Sequence, residues 1–526
     1  MQPLGPSLYF ESLREYHPLR EEHRIASSSP KRIAVIGGGV AGLVSAKVLK
    51  EDGFDVTVFE KESTVGGVWA ESRAYPGLRT NNPRETYAFS DFDYPPTTEA
   101  FPTAQQVRGY LKAYADRFGL TRRIHLNTEV RLLARAKPKP EGGHPGFRVT
   151  VRPVDGHGDP RTNDPKTHVV DFAVVCNGVF CEPYVPEVEG EERFQGQVLH
   201  SSQLTDPQRV RGRRVVVVGA GKSALDCATF AAEEASSVTL VLRRPHWMLP
   251  RYFGSARVDD ALFNRFSLQA FPPYYNATRT ERTFRKAAAP LFWVWRKAVS
   301  LIARRVAKVP AEMVPDIPVT AGIENNGIGT EFYEVLRNGQ ARIRRAGVAS
   351  FAGPDRLRLD TGEELGGDIV VFGTGWRQNV SFLDSDLHRV VWRDGWFHLY
   401  RHILPPREPR LGFVGYASSG NAPLTSEISA HWLSQWFRGE SSLPDPSDMD
   451  REIARVRRWT QKVFPRRCEG YFIGAYVSSY VDELMRDMGL ETRRADGFFS
   501  EYLGPLWGTR YRGVAEERRR LRSSSR

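Results

Sequence analysis

Two glycine-rich turns of one design carry the residues best placed to do chemistry. The first, Gly37-Gly38-Gly39-Val40-Ala41-Gly42, comes after the apolar run Ile33-Ala34-Val35-Ile36. The second, Gly219-Ala220-Gly221-Lys222-Ser223-Ala224, comes after Val215-Val216-Val217-Val218. Each reads as strand, tight turn and helix, in which glycine lets the backbone approach a pyrophosphate at the helix N-terminus. The two turns differ in the charge downstream. The strand after the first ends in Glu60, 23 residues beyond Gly37, and the strand after the second ends in Arg243-Arg244, 24 residues beyond Gly219. A carboxylate there accepts ribose hydroxyls and repels a 2′-phosphate, whereas paired guanidiniums attract that phosphate. The expected cofactors are FAD, held by Gly37, Gly39, Gly42 and Glu60, and NADPH, held by Gly219, Gly221, Ser223, Arg243 and Arg244. The chain reads as a two-dinucleotide redox enzyme.

Positioning these groups calls for an α/β fold with two Rossmann-like dinucleotide-binding domains, the NADPH domain inserted into the FAD domain. The run Asp368-Ile369-Val370-Val371-Phe372-Gly373-Thr374-Gly375 suggests the return. It reads as a buried strand whose small residues Thr374 and Gly375 admit the edge of the flavin. The expected plan is an N-terminal extension over 1–30, the FAD domain over 31–204, and the NADPH domain over 205–330. The second part of the FAD domain then covers 331–445, and a C-terminal extension with a basic tail covers 446–526. A helical insertion at 252–316 interrupts the NADPH domain. It contains Phe292-Trp293-Val294-Trp295-Arg296-Lys297, which suits packing on the domain, a surface resting on a membrane, or the lining of an apolar substrate entrance. Loops rich in Pro, Gly and Asp at 138–168 read as a surface hairpin region.

Composition narrows the function classes. With 40% hydrophobic and 26% charged residues, the chain reads as an ordinary globular protein. No stretch approaches the roughly 18–20 apolar residues of a membrane span, and the first thirty residues lack a secretory apolar core. A cytoplasmic location is expected, with peripheral membrane contact left open. The net charge of +12 invites a nucleic-acid reading, but residues 510–526 hold seven arginines against two glutamates. No nucleic-acid motif accompanies that charge, so no nucleic-acid partner is expected. Cys176, Cys181, Cys227 and Cys468 are too few for a disulfide framework. Cys176 and Cys181 have the spacing of a redox pair but do not lie on the helix after the first turn. No Cys/His cluster suggests a metal.

Further blocks resemble the flavin-containing monooxygenases, the class B flavoproteins related to Baeyer–Villiger monooxygenases. Gly66-Gly67-Val68-Trp69 is similar to their GGxW segment beside the flavin, which implies that Gly67 and Trp69 contact the cofactor. Thr80-Asn81-Asn82-Pro83 with Phe89-Ser90-Asp91-Phe92 resembles the stretch that brings an active-site asparagine to the flavin, here Asn81. The second glycine turn through Asp226 and the segment Glu427-Ile428-Ser429-Ala430-His431-Trp432 also match family patterns. Phe194 to His200 fits most of the signature FxGxxxHxxx(Y/F), whose closing aromatic is Leu204 here. Tyr75-Pro76-Gly77-Leu78-Arg79 and Arg244-Pro245-His246 look like the Baeyer–Villiger branch, with Arg243 at the place of its functional arginine. The resemblance runs from about Arg32 to Gly439 and covers 252–316 only loosely.

The resemblance implies a monooxygenase that reduces FAD with NADPH and reacts it with O₂ to give a C4a-(hydro)peroxyflavin. That species would oxygenate a nucleophilic nitrogen or sulfur of a small organic substrate, while the cofactor carries the difficult chemistry. Asn81 would act as catalytic hydrogen-bond donor, since an uncharged amide donates without fixing a protonation state. Lys222 either adds to the pyrophosphate charge or points to solvent. His200, without a placed partner, reads as a structural residue coupling the domains. Three alternatives stay open: Baeyer–Villiger oxidation of a ketone, an NADPH oxidase releasing H₂O₂, and a non-catalytic dinucleotide sensor. The substrate pocket is expected between the 252–316 insertion and the C-terminal region. Substrate identity and oligomeric state are not legible.

Overall fold

The computed structural model of the chain describes residues 15–16, 30–137, 145–155, 165–258, 260, 263–319, 327–466 and 469–524. Strand β1 (Arg32–Ile36) leads through the first glycine turn into helix α1 (Val40–Glu51), then to β2 (Asp55–Phe59) and β3 (Ile124–His125). An antiparallel ladder forms over Thr128–Arg135, Phe147–Pro153 and Lys166–Val170, while residues 138–144 and 156–164 of the expected hairpin region lie outside the described residues. The chain then enters β4 (Phe172–Val175). Next come β5 (Gln197–His200), β6 (Arg214–Val218), helix α2 (Lys222–Glu234) and β7 (Ser237–Leu242). Helices α3 (Arg279–Ala287) and α4 (Ala289–Val306) form the body of the insertion. They precede β8 (Arg342–Arg345), β9 (Ile369–Phe372), β10 (Leu411–Phe413) and helix α5 (Ala422–Phe437). The C-terminal region includes α6 (Phe498–Leu503) and α7 (Val514–Ser524).

Two parallel five-stranded sheets result, with orders β10–β4–β1–β2–β3 and β5–β9–β6–β7–β8. In both, the strand before the glycine turn is central, the arrangement that opens a cofactor crevice at the carboxyl ends of the strands. The first sheet closes with β10 only after the whole second sheet is complete, so the second unit is inserted into the first.

The sheet pairing moves the expected domain boundaries. β5 lies before 205 and β8 and β9 lie after 330, yet all three belong to the second sheet. The inserted unit therefore takes strands from 197–372, and the return to the first sheet comes at Leu411–Phe413 rather than at 331. The run Ile369–Phe372 is buried on both faces, and such continuous apolar strands carry no alternation to mark their sheet.

Helix α5 packs against α1 and has nearly every residue buried. The basic tail is docked rather than free. On α7, Arg518 is 3% exposed, pairs with Asp52 at 2.9 Å, and donates to His431 Nδ1 at 2.9 Å. Arg522 also reaches Asp52, at 2.8 Å. Burial alone would raise the Asp52 carboxyl, but Arg518, Ser434 and Arg522 outweigh it and hold it below the usual carboxylate range. The α4 helix buries Phe292, Val299 and Ala303 while exposing Leu291, Trp293, Val294 and Leu301. No helix among the described residues is long and apolar enough to cross a membrane.

Candidate active site

The first glycine turn is built by close backbone packing. Gly37 has φ of 110°, and a Cβ there would lie 2.5 Å from the Cys176 carbonyl oxygen. A Cβ on Gly42 would lie 1.8 Å from the Gly37 carbonyl oxygen, so α1 can start this close to β1 only with glycine. Gly39 caps α1 without a side-chain bond, and the first turn carries no acid, which leaves the helix N-terminus ready for an anion. The Gly66-Gly67 loop rests on this turn, and a Cβ on Gly67 would lie 3.2 Å from Gly39 Cα. Trp69 is buried there and donates from its indole nitrogen to the Tyr87 hydroxyl at 3.0 Å.

Glu60 directly follows β2 and lies inside this cleft. Its carboxylate accepts from the Gly38 amide at 2.5 Å and the Glu62 amide at 2.9 Å, leaving acceptor capacity for ribose hydroxyls. Burial raises its pKa despite those donors. The turn, Gly67, Trp69 and Glu60 line a cleft of ≈ 400 Å³. An uncapped helix end, a backbone cradle that side chains would fill, and a buried ribose-type acceptor together fit a flavin dinucleotide. Cys176 and Cys181 line the cleft as well, but burial pushes the Cys176 thiol up to about 12 and raises Cys181 too, so neither is a ready thiolate.

The second turn repeats the first with one exchange. Gly219 has φ of 141°, and its Cβ would meet the Gly373 carbonyl oxygen at 2.4 Å. Gly42 of the first turn becomes Ala224, and the space is recovered across the sheet: a Cβ on Gly373 would lie 2.5 Å from Ala224 Cβ. Gly221 caps α2 with no side-chain bond and nothing within 4 Å of a Cβ, so the approach to the helix end is open. Ser223 lies in the first turn of that helix and bonds the buried Tyr75 hydroxyl. Arg243 and Arg244 come just after β7, both exposed and without an ion-pair partner among the described residues.

Lys222 takes neither of its expected directions. Its ammonium turns back onto both carboxylate oxygens of Asp226, which also accepts from the Tyr75 hydroxyl at 2.9 Å. Thr374 and Gly375 are likewise placed elsewhere than expected, outside the lining of the flavin cleft. The Thr374 hydroxyl donates to the Tyr184 carbonyl, and the Gly375 carbonyl accepts from Tyr184 N and from His200 Nε2, each at 3.0 Å. β9 belongs to the second sheet, so the glycine that works in this segment is Gly373, against α2. His200 accepts from the Ser202 amide at Nδ1, and burial lowers its pKa, as a bridge between β5 and the segment after β9.

Asn81 is not part of the flavin cleft but lines an adjoining cavity of ≈ 290 Å³. Its side chain is exposed and bonds no described residue, so its amide is available. The insertion supplies Leu268, Phe271, Trp295 and Val299 to this cavity, and the C-terminal region supplies Phe472 and Leu506. Phe180, Ser418 and Ser419 line both the flavin cleft and this cavity. The two spaces meet there. Sequence reasoning passed over Phe180, which sits in the segment between Cys176 and Cys181, and over both serines just ahead of α5.

The family model for flavin-binding monooxygenase-like proteins matches residues 30–271 and 334–494. The chain belongs to this family. It is a flavin-dependent monooxygenase. Among related proteins of this monooxygenase family is the probable flavin-containing monooxygenase 1 of Arabidopsis thaliana. It is 28% identical over 532 residues, covering 93% of this chain and 97% of the relative. The fold is similar to that of S-allyl-L-cysteine S-oxygenase from Allium sativum, with TM-score 0.59, 21% identity, and 94% of each chain covered. A cyclohexanone monooxygenase from Rhodococcus sp. Phi1 bound to NADP⁺ also matches in fold, with TM-score 0.63 and 18% identity over 87% of this chain and 97% of that one.

Proposed function

We propose that this monooxygenase uses FAD and NADPH to transfer one oxygen atom of O₂ to a nucleophilic nitrogen or sulfur of a small organic substrate. The observation that carries this reading is the junction at Phe180, Ser418 and Ser419, where the flavin cleft opens into a mainly apolar cavity with Asn81 on its wall. Bound FAD supplies the acceptor for the hydride of NADPH and the centre that activates O₂. In this reading Gly37, Gly39 and Gly42 give the pyrophosphate its backbone cradle, Glu60 accepts the ribose hydroxyls, and Gly67 and Trp69 wall the cleft. Gly219, Gly221 and Ser223 hold the nicotinamide dinucleotide, and Arg243 and Arg244 take its 2′-phosphate. In the balanced reaction NADPH and a proton bring two electrons, one oxygen atom enters the product, and the other leaves as water.

The mainly apolar lining of the cavity disfavours water, and Asn81 donates a hydrogen bond from its wall. Replacing Asn81 with Ala tests the role. NADPH oxidation should continue while oxygenated product falls about ten- to hundredfold, the loss of one positioned donor, and H₂O₂ rises to match. Unchanged coupling of NADPH to product would overturn it. Parallel assays with a tertiary amine, a thioether and a cyclic ketone separate the nitrogen- and sulfur-directed reaction from Baeyer–Villiger oxidation.

A further inference from the structure

A second cavity, of ≈ 210 Å³, adjoins the apolar one, and the two share Arg265, Leu268, Ser478 and Glu501. Their linings differ in kind. The apolar cavity presents aromatic and aliphatic side chains, whereas the second is lined mainly by polar and charged ones, including Arg285, Arg486 and Arg493.

The charges at the shared wall are already satisfied. Arg265 pairs with Glu501 at 2.6 Å and donates to Asp482 at 2.7 Å. Glu501 also accepts from the amides of Arg494 at 3.0 Å and Ala495 at 2.8 Å. Glu281, the other acid of this lining, accepts from the Thr278 amide at 2.7 Å as part of the cap of α3. Three guanidiniums make no hydrogen bond or ion pair to a carboxylate among the described residues, although Glu281 faces Arg285 and Asp482 faces Arg486 electrostatically. Arg285 donates to the Gln269 side-chain oxygen at 3.1 Å, and Arg486 and Arg493 are exposed and make no direct ion pair. Four arginines against the three carboxylates Glu281, Asp482 and Glu501 leave this concave polar space cationic, complementary to an anionic head group.

We infer that the substrate is an amphipathic anion whose carboxylate sits in the polar cavity among Arg285, Arg486 and Arg493 while its apolar chain fills the adjoining cavity. The oxidisable atom then lies at the far end of the chain, toward Phe180 and the flavin cleft. This rests on the reading of the apolar cavity as the substrate site. It predicts selection for molecules with an acid and an oxidisable group at opposite ends.

The test compares a medium-chain ω-(methylthio)alkanoate with its methyl ester, titrated calorimetrically into the FAD-loaded enzyme. The acid should bind about tenfold more tightly than the ester, the lower end for charge-assisted contacts that are partly solvent-exposed. Arg285→Gln and Arg493→Gln should each weaken the acid several-fold, leave the ester unchanged, and leave the melting temperature unchanged. Equal binding of acid and ester, or an equal loss for both in the variants, would overturn the inference. Sulfoxide yield in NADPH turnover distinguishes the two levels. Oxygenation of both compounds with equal affinity would leave the proposed function standing and remove the anion site. Selective binding of the acid, with neither compound oxygenated, would keep the anion site and contradict the proposed function.

Discussion

Replacing both Arg243 and Arg244 with Gln should convert a strong preference for NADPH into near indifference between NADPH and NADH. The two side chains emerge just after β7, at the carboxyl edge of the second sheet, and no described residue neutralises them. Each charge-assisted contact to a phosphate is worth about 1.5–3 kcal/mol, and exposure puts these at the lower end. Two of them sum to about 3 kcal/mol, or on the order of a hundredfold in affinity. NADH lacks the 2′-phosphate and so should lose nothing. The assay is anaerobic flavin bleaching, measured against the concentration of each nucleotide for the parent and the double variant. The dissociation constant for NADPH should rise while that for NADH holds, and the parent's preference should shrink as salt is raised. A loss of the same factor for both nucleotides would refute the assignment, because it would mean the arginines support the fold and not the phosphate.

Four further outcomes rest on the packing. Gly42→Ala places a methyl 1.8 Å from the Gly37 carbonyl oxygen and should yield protein with little bound FAD, measured as flavin absorbance per protein. Gly221→Ala meets nothing within 4 Å, so its melting temperature should hold while NADP⁺ affinity falls; a lowered melting temperature would mean the site is packed and not open. Burial and the nearby Asp91 push Glu427 from 4.5 up to about 7, so the folded protein keeps a proton the unfolded chain releases. Stability contributed by that proton is complete below pH 4.5 and is lost as pH rises to 7, about 3 kcal/mol in all. Glu427→Gln keeps an acceptor for the Ser90 amide and should flatten this slope in melts taken across that window. Arg518→Met should cost about 3 kcal/mol in denaturant unfolding, limited because Arg522 stays 2.8 Å from Asp52. A change under about 1 kcal/mol would show that the tail helix is not anchored there.

The glycine turns and their downstream charges were legible because each is local: a strand, a turn and a strand end are read from one stretch of chain. The insertion and the C-terminal region, where the family resemblance is thinnest and the substrate pocket was expected, both line the apolar cavity. Residues whose roles depend on sheet partnership were not legible. Ile369–Phe372 looks the same in either sheet, so Thr374 and Gly375 were tied to the flavin while Gly373 packs on Ala224. Lys222 lay four residues from Asp226, a spacing that marks a helical ion pair. That signal was available in the sequence and was passed over in favour of the pyrophosphate or solvent. The basic tail offered only its composition, and its partner Asp52 stands more than 460 residues earlier. Phe180 gained meaning only when two cavities met at it.

The most direct test of the central claim is the fate of labelled dioxygen. Holoenzyme given NADPH, ¹⁸O₂ and a methyl thioether should form sulfoxide carrying one ¹⁸O atom, in step with NADPH consumed. NADPH consumption matched by H₂O₂, or sulfoxide without label, would contradict the claim.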